Sequence, residues 1–226
     1  MRHTPTIVAW ILAGACAALV AGAVSAAKLP ESWDGLERRN VKGIDAAYVR
    51  LGVVFTVYRN VVIDPVEVAF DKDWKPNRDM RASGRLSADD LQEIKDEMAS
   101  EFRRIFAEQL AAGGYDVVAK PLDDTLRVSA GLADVYINAP DAMTAGRTRT
   151  YTMNAGQMTL VMELRDGPTG QLLARVVDRY VGTETGFAQL TSGVTNSAEF
   201  RRAVSAWAKR LVAALDKVSG RAASGA

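Results

Sequence analysis

The residues that most hydrolases use for chemistry are almost absent from this chain. Its only histidine is His3 and its only cysteine is Cys16, both close to the N-terminus. A Ser-His-Asp or Cys-His arrangement needs an imidazole, so the rest of the chain cannot carry one. Zinc or iron sites built from histidine or thiolate are excluded for the same reason. We predict no catalytic residue, no metal and no cofactor.

Carboxylates are the acid-base groups that remain. A glycosidase-type mechanism needs two carboxyl groups about 5–10 Å apart, and the candidates are Asp64, Glu67, Asp134, Asp141, Glu163 and Asp178. Acids that face solvent are common on strands, so none is assigned a catalytic role. Asp71 and Asp73 lack the further acids and the glycine of a calcium-binding loop. A carboxylate-only hydrolase of an envelope polymer therefore stays an alternative to a non-enzymatic protein.

The segment most typical of a binding site is NAPDAMTAGRTRTY, which joins two predicted strands. It places Asp141, Arg147, Arg149 and Tyr151 close together with little apolar content. Loops held by a rigid sheet are where binding groups collect, so these four residues are predicted to contact a ligand or partner. Alternatively, Asp141 caps a turn while the two arginines point outward along a strand.

Three tryptophans lie in two kinds of sequence surroundings, one apolar and two polar. Trp207 lies on an apolar helical stripe and is predicted to be part of the core. Trp33 and Trp74 lie in polar segments, where each either covers an edge of the core or contacts a partner or membrane. Trp74 is added to the predicted contact residues.

The N-terminus is typical of a signal peptide. Arg2 and His3 precede an apolar run from Ile7 to about Val24 and a small-residue exit, AVSAAK. Three outcomes are open: cleavage after Ala26, cleavage before Cys16 with lipidation of that cysteine, or an uncleaved anchor, since the run approaches the roughly 20 apolar residues of a membrane helix. All three place the body outside the cytoplasm, on the periplasmic side of a bacterial envelope.

The charge of the body is balanced. The chain has 28 basic and 27 acidic residues, and Arg2 is the only one of them before Lys28. Removing a leader of residues 1–26 leaves equal numbers of both signs. A chain with no net charge lacks the excess of basic residues that nucleic-acid binding needs. Nucleic acid is therefore not a predicted partner.

Two helices are predicted from apolar residues at spacings of three and four. The first follows Ser87, with Asp90 three residues on as in a capping box, and ends at Gly113 and Gly114. Its stripe consists of Leu91, Ile94, Met98, Phe102, Ile105, Phe106 and Leu110. The second begins near residue 196, ends near residue 219, and carries Phe200, Val204, Trp207, Leu211, Val212 and Leu215.

Strands are predicted at 46–52, 61–70, 115–120 and 125–138, followed by a hairpin whose two strands are joined by residues 166–170. The alternation of residues 61–70 changes phase at Asp64-Pro65, which indicates a bulge or a sheet edge. These elements favour an α+β fold: a two-layer sandwich with a mixed, mainly antiparallel sheet and both long helices on one face. Residues 27–45 are predicted to be a polar lead-in, 46–219 a single domain and 220–226 a frayed tail.

Four segments together resemble a family of bacterial lipoproteins whose domain has no known function. They are VVIDPVEVAFDKDW, NAPDAMTAGRTRTY, GQMTLVMELRDGPTGQLLARVVDR and VTNSAEFRRAVSAWAKRL, and the resemblance extends over about residues 36–217. The resemblance implies an envelope location and usually a lipid anchor, which places lipidation of Cys16 level with ordinary cleavage. It implies no activity and no catalytic residues.

The function predicted from the sequence is that of a non-enzymatic cell-envelope module, lipid-anchored or secreted. Its partner is predicted to be an envelope protein or a cell-wall component, and its N-terminus the contact with the membrane. The alternatives are the carboxylate-only hydrolase and a carrier of a small apolar ligand between sheet and helices. The sequence predicts no oligomeric state.

Overall fold

The computed structural model describes residues 30–75, 86–137, 155–182 and 193–219. Nine strands and two helices lie within these ranges. The strands are β1 (Ser32–Trp33), β2 (Leu36–Arg39), β3 (Ala46–Val49), β4 (Asn60–Ile63), β5 (Glu67–Phe70), β6 (Asp116–Val117), β7 (Thr125–Ile137), β8 (Ala155–Asp166) and β9 (Leu172–Val181). The helices are α1 (Ala88–Ala112) and α2 (Gly193–Ser219), and a 3-10 turn spans Phe55–Val57.

The strands form one open, mixed sheet in the order β1-β2-β3-β9-β8-β7-β4-β6, and β5 also pairs with β7. Neighbours from β1 to β7 in this order are antiparallel. The pairs of β4 and β5 with β7, and of β6 with β4, are parallel. Parallel pairing needs a crossover, which α1 supplies between β5 and β6. The predicted α+β fold class is confirmed.

Both helices cover the same face of the sheet, as predicted. Residues Leu126, Val128 and Leu132 of β7 alternate toward this face and are buried. They share one apolar core with Phe102 of α1 and Phe200 of α2, which are both fully buried. Because every second residue of a strand points the same way, the residues between them lie on the opposite face.

That opposite face, called the open face below, is defined by the cross-strand neighbours Ser129, Glu163 and Arg175 on β7, β8 and β9. They share a face because residues directly opposite each other in adjacent strands point the same way. The N-terminal strands cover one part of the open face, where a small apolar cluster packs: Leu36, Ala46, Tyr48, Leu172 and Val177.

The predicted bulge at Asp64-Pro65 is present. Ile63 pairs with Val128 and Glu67 pairs with Gly131, so β4 and β5 together contain one residue more than the matching stretch of β7. Pro65 has no N–H to donate, which favours an interruption of the ladder here. The extra residue changes the side-chain alternation between β4 and β5.

The segment predicted to be a polar lead-in, residues 27–45, contains the strands β1 and β2 in its described part, which the sequence did not predict. These strands extend the sheet beyond β3 by antiparallel pairing. They are too short to show an alternating pattern in sequence. Long-range contacts stabilise them: Leu36 is fully buried, and the ring of Trp33 meets that of Tyr48 edge-on at 5.7 Å.

Helix α1 begins and ends where the sequence predicts. The Ser87 hydroxyl accepts a hydrogen bond from the Asp90 N–H, and the Asp90 carboxylate accepts one from the Ser87 N–H, which completes the capping box. At the other end Gly113 caps the helix and Gly114 has a φ of +80°, a conformation that favours glycine. The predicted stripe is buried at Ile94, Met98, Phe102, Ile105, Phe106 and Leu110.

Helix α2 carries its predicted stripe against the same core. Phe200, Val204 and Trp207 are buried, as are Leu211 and Leu215 closer to its end. The prediction that Trp207 belongs to the core is confirmed. Neither helix of the described chain is long and apolar enough to cross a membrane.

Glu101 links the two helices. Its carboxylate accepts hydrogen bonds from Arg104 on α1 at 2.8 Å and from Arg201 on α2 at 2.7 Å. The bond from Arg104 is the largest cause that lowers the pKa of Glu101 from 4.5 to about 2, with Arg201 adding to it. Because the folded pKa lies below the unfolded one, this contribution to stability is fully present above pH 4.5 and is lost as the pH falls toward 2.

We expect Glu101→Gln to be less stable than the wild type by about 1 kcal/mol near neutral pH, the size typical of solvent-screened pairs. The difference is expected to shrink as the pH falls below 4.5. Urea unfolding at both ends of this pH window measures it. Glu108→Gln is the matched control, since Glu108 bonds to Arg104 on the same helix. An equal loss in both variants would contradict a link between the helices.

Candidate functional site

A cleft of about 630 Å³ surrounds the bulge between β4 and β5. At the bulge the chain departs from regular pairing with β7, and the cleft occupies the space beside it. One wall is formed by residues 64–69 with Arg127, Ser129, Gly131 and Ala133 of β7, and the other by Gln92, Lys95, Asp96 and Ala99 of α1. Because Ser129 belongs to the open face and α1 covers the opposite one, the cleft is lined from both faces of the sheet.

One wall of the cleft holds an ion pair. Nε of Arg127 lies 2.9 and 2.8 Å from the two carboxylate oxygens of Asp64, and the Ser129 hydroxyl donates to the same carboxylate. The Asp64 side chain is 12% exposed and that of Arg127 is 42% exposed, so the cation is the more accessible partner. The Asp64 N–H also donates to the Val128 carbonyl, which fixes the carboxylate relative to β7.

The other wall, on α1, carries charges of both signs. Nζ of Lys95 lies 5.4 Å from the centroid of the Phe70 ring, within the range of a cation–π contact. The Gln92 amide donates to the Asp96 carboxylate at 2.9 Å. The cleft therefore combines a few polar groups with an apolar lining that includes Val66, Val68 and Leu132, as ligand and peptide sites commonly do.

A second group of charges is centred on Glu163 of the open face. One of its carboxylate oxygens accepts hydrogen bonds from Nε and Nη2 of Arg175, at 3.0 and 2.7 Å. The other accepts from Nε and Nη2 of Arg165, at 3.0 and 2.6 Å. Arg175 also donates to Asp34 and lies 4.2 Å from the centroid of the Trp33 ring. This network therefore joins β8 and β9 to the N-terminal strands.

The network is closed to a substrate. The side chains of Glu163 and Arg175 are only 2% and 6% exposed. A general acid or base must come within hydrogen-bond reach of the reacting group, and this carboxylate is covered. Its role in the fold is to neutralise two guanidinium groups.

Three of the carboxylate candidates, Asp64, Glu163 and Asp178, hydrogen-bond to other groups of the protein. Asp178 faces the helices, where it accepts hydrogen bonds from Nε1 of Trp207 at 2.7 Å and from the Asp45 N–H at 3.0 Å. Asp64 and Glu163 lie on the open face on either side of Ser129, and each is bonded to arginine.

The remaining described acids, Asp134, Glu67 and Asp71, lie on or beside the strands β7 and β5. Asp134 has a φ of +50° in an irregular part of β7, and its carboxylate accepts a hydrogen bond from Thr159. Glu67 is exposed on β5. Asp71 accepts a hydrogen bond from the Asp73 N–H at 2.7 Å. Among the residues that the structure describes, no group of three acids, histidines or cysteines is placed to hold a metal ion.

The sequence model of a family described as a protein of unknown function, DUF3313, matches residues 25–211. The chain belongs to the DUF3313 family. This confirms the resemblance to a domain of unknown function that the sequence showed. No curated protein matches the sequence.

Several solved bacterial structures are distantly similar to this DUF3313 chain. The PelC dodecamer from Paraburkholderia phytofirmans is 14% identical, with a TM-score of 0.38 over 73% of this chain and 95% of that one. A minor lipoprotein from Acinetobacter baumannii is 10% identical, with a TM-score of 0.31 over 73% and 96%. A DUF4136 family protein from Bacteroides thetaiotaomicron is 12% identical, with a TM-score of 0.35 over 79% and 98%. Similarity at this level carries no information about function.

Four of the predicted contact residues of the DUF3313 chain lie outside the described residues: Asp141, Arg147, Arg149 and Tyr151. Cys16, the predicted site of lipid attachment, lies outside them too. The segment NAPDAMTAGRTRTY was predicted to join two strands, and strands β7 and β8 lie before and after it. The roles of these five residues stay predictions.

Trp74 lies at the edge of the core. It is 9% exposed, its ring is 4.4 Å from that of Phe70, and its Nε1 donates to the Ile137 carbonyl at 3.0 Å. Of the two interpretations left open by the sequence, this placement favours the one in which Trp74 covers the core. Trp33 is held in a similar way, against Tyr48 and Arg175.

Arg127, Ser129 and Lys95 line the cleft and were not among the predicted site residues. A signal for the first two was present, because they alternate with the apolar residues Leu126 and Val128 and must lie on the other face of the strand. Their contact with Asp64 was not predictable from alternation. It depends on the parallel pairing of β4 with β7, two strands that α1 separates in the chain.

Proposed function

We propose that this DUF3313 protein is a non-enzymatic module of the bacterial cell envelope, on the periplasmic side, that binds an envelope protein or a cell-wall component at the cleft around the bulge. The observation that carries this proposal is the cleft itself. Within it, the ion pair of Asp64 and Arg127 is held in a fixed position by bonds within the chain. A preformed pair of charges suits the recognition of a partner with complementary polar groups.

The edge strand of the cleft favours an extended peptide as the bound element. Among the described residues, β5 pairs with β7 on one side only. The Asp71 N–H donates to Val135 of β7, so alternation directs the backbone groups of Phe70 to the outer side. An unpaired strand edge accepts a further strand through main-chain hydrogen bonds, while side-chain pockets select its sequence. An envelope protein with an extended segment fits this surface.

The attachment to the membrane is tested by the intact mass of the protein recovered from its native envelope. Lipidation predicts a chain that begins at Cys16 and carries acyl groups, and Cys16→Ser is expected to abolish that mass. Cleavage after Ala26 predicts a mass that begins at Ala27 in both proteins. A cytoplasmic protein with the intact leader would contradict the envelope location.

Binding at the cleft is tested by photo-crosslinking in intact cells. A photoreactive residue in place of Ser129 lines the cleft. The same residue in place of Val181, which is 62% exposed at the far end of β9, serves as the control. We expect a discrete adduct from the first position and none of that mass from the second. The same adducts from both positions, or none from either, would contradict a binding site at the cleft.

A further inference from the structure

Exposed aliphatic side chains gather at one end of the sheet. Leu51, Val54 and Val57 are 62%, 58% and 55% exposed, and all three lie in the loop between β3 and β4. Leu122 and Val218 are each 54% exposed. These five residues are called the apolar end below. Single exposed aliphatics are ordinary, but a group of them on one surface marks a contact site.

Hydrogen bonds fix the position of the loop that carries three of them. The Arg50 N–H donates to the Leu173 carbonyl at 2.8 Å, at the start of β9. The Tyr58 hydroxyl donates to Asp166 at 2.9 Å, at the end of β8. The loop therefore crosses the end of the sheet next to the β8–β9 turn.

Two further segments reach the same end. The Arg59 N–H donates to the Asp124 carbonyl at 3.1 Å, so the turn that carries Leu122 lies beside the loop. Helix α2 packs against the 3-10 turn of the loop, and Val218 follows in its last turn. The apolar end is thus built from three separate parts of the chain.

Two aromatic residues anchor the loop to the protein. Phe55 and Tyr58 are 9% and 7% exposed and belong to the main core. Val54 and Val57 come directly before these two buried residues and remain exposed. The anchored loop therefore presents its aliphatic side chains at the surface.

Basic residues accompany each part of the apolar end. Arg50 and Arg59 flank the loop, Lys120 precedes Leu122, and Lys217 precedes Val218. Acids at this end include Asp124 and Asp166, which accept hydrogen bonds from Asn60 and Tyr58, and the exposed Asp116 and Asp123. Exposed aliphatic side chains next to basic residues are a combination that binds a lipid surface. The aliphatic side chains enter the boundary of the acyl chains, and the basic side chains contact the headgroups.

We propose that the apolar end contacts the surface of the lipid bilayer to which the N-terminus is attached. This inference rests on the membrane attachment in the proposed function. The N-terminus of the described chain is close enough, because the Pro30 carbonyl accepts a hydrogen bond from Tyr48, two residues before Arg50. The chain from Cys16 to Pro30 spans up to about 45–50 Å when extended. A tether and a surface contact on one membrane reinforce each other by raising the effective concentration.

A bilayer is the occupant that this surface fits best. The apolar end is made of the tips of a loop, a turn and a helix end, and tips of this kind can enter a fluid surface without a complementary groove. A protein partner would have to match the three parts at once.

The experiment uses the single cysteine of the chain. Full-length Cys16→Ser protein that keeps its leader is made by cell-free synthesis with vesicles of phosphatidylethanolamine and phosphatidylglycerol. Val54→Cys or, as the matched control, Val181→Cys supplies the only thiol, and an environment-sensitive fluorophore is attached to it. Val181 has the same exposed fraction as Leu51, 62%, but lies at the opposite end of β9.

We expect the label at position 54 to shift to shorter wavelength with vesicles and to become several-fold less accessible to an aqueous quencher, while the label at position 181 stays accessible. Leu51→Asp added to Val54→Cys is expected to restore access. Protein that floats with the vesicles while the label at position 54 stays accessible would overturn the surface contact and leave the tether intact. Protein that does not float would instead contradict membrane insertion of the leader, which is the attachment that Cys16→Ser leaves in place. Equal shielding of position 54 without vesicles and without detergent would overturn the proposal in favour of a protein interface.

Discussion

Replacing Glu163 with alanine is expected to lower the free energy of unfolding by about 3–5 kcal/mol, because it leaves a buried guanidinium without its carboxylate. The Arg175 side chain is only 6% exposed, and its Nε and Nη2 both donate hydrogen bonds to one carboxylate oxygen of Glu163. Asp34, the other partner of Arg175, is 57% exposed, so its solvent-screened carboxylate neutralises the buried guanidinium only weakly. Urea unfolding, followed by circular dichroism, measures the loss. We expect a lower midpoint concentration of urea and an unchanged dependence of the free energy on urea concentration.

Two variants separate the buried charge from the rest of the network. Asp34→Ala removes the exposed partner of the same guanidinium and is expected to cost less than about 1 kcal/mol. Glu163→Met combined with Arg175→Met removes both buried charges and is expected to recover much of the loss, since an apolar pair of similar volume avoids the desolvation cost. A double variant as unstable as Glu163→Ala would show that shape, and not the unpaired charge, sets the effect.

Phe102→Ala is expected to cost about 3–5 kcal/mol, the range found for large-to-small changes of buried aromatic residues. Phe102 is fully buried in the core between α1 and the sheet. Its ring stacks on that of Phe106 with centroids 4.2 Å apart. Removing it leaves a cavity that the long, paired strands opposite cannot close. Thermal and urea unfolding measure the loss.

The neighbouring residue supplies the control. Arg103 lies on the exposed side of α1, and Arg103→Ala is expected to change stability by less than about 0.5 kcal/mol. Phe102→Leu keeps part of the volume and is expected to fall between the two. A small loss in Phe102→Ala would mean that α1 does not pack on the sheet as described.

The helices and the longest strands were predictable because their signals are local. The capping box of Ser87 and Asp90 and the glycines 113–114 mark the ends of α1, and the apolar spacing marks its buried stripe. Alternation marked β7 and its buried face. The change of phase at Asp64-Pro65 was enough to predict the bulge.

Much less of the candidate site was predictable. Asp64 was a candidate from its type and place in the chain, but its partners Arg127 and Ser129 come from a strand about sixty residues later. Helix α1 supplies Lys95, whose side of the helix was predictable and whose position beside β5 was not. The site is a product of strand order, and strand order depends on contacts between distant segments.

What the sequence determined by itself follows from residue types and local spacing: the absence of thiol and imidazole chemistry after Cys16, the apolar leader, the two amphipathic helices and the α+β class. What only the tertiary structure decided is which faces meet. The strands β1 and β2 exist because Leu36 and Trp33 find partners on β3 and β9. The loop after β3 exposes Leu51, Val54 and Val57 and is anchored by Phe55 and Tyr58, which belong to the main core. A local pattern shows which side of an element is apolar, whereas its burial depends on the partner that the rest of the chain provides.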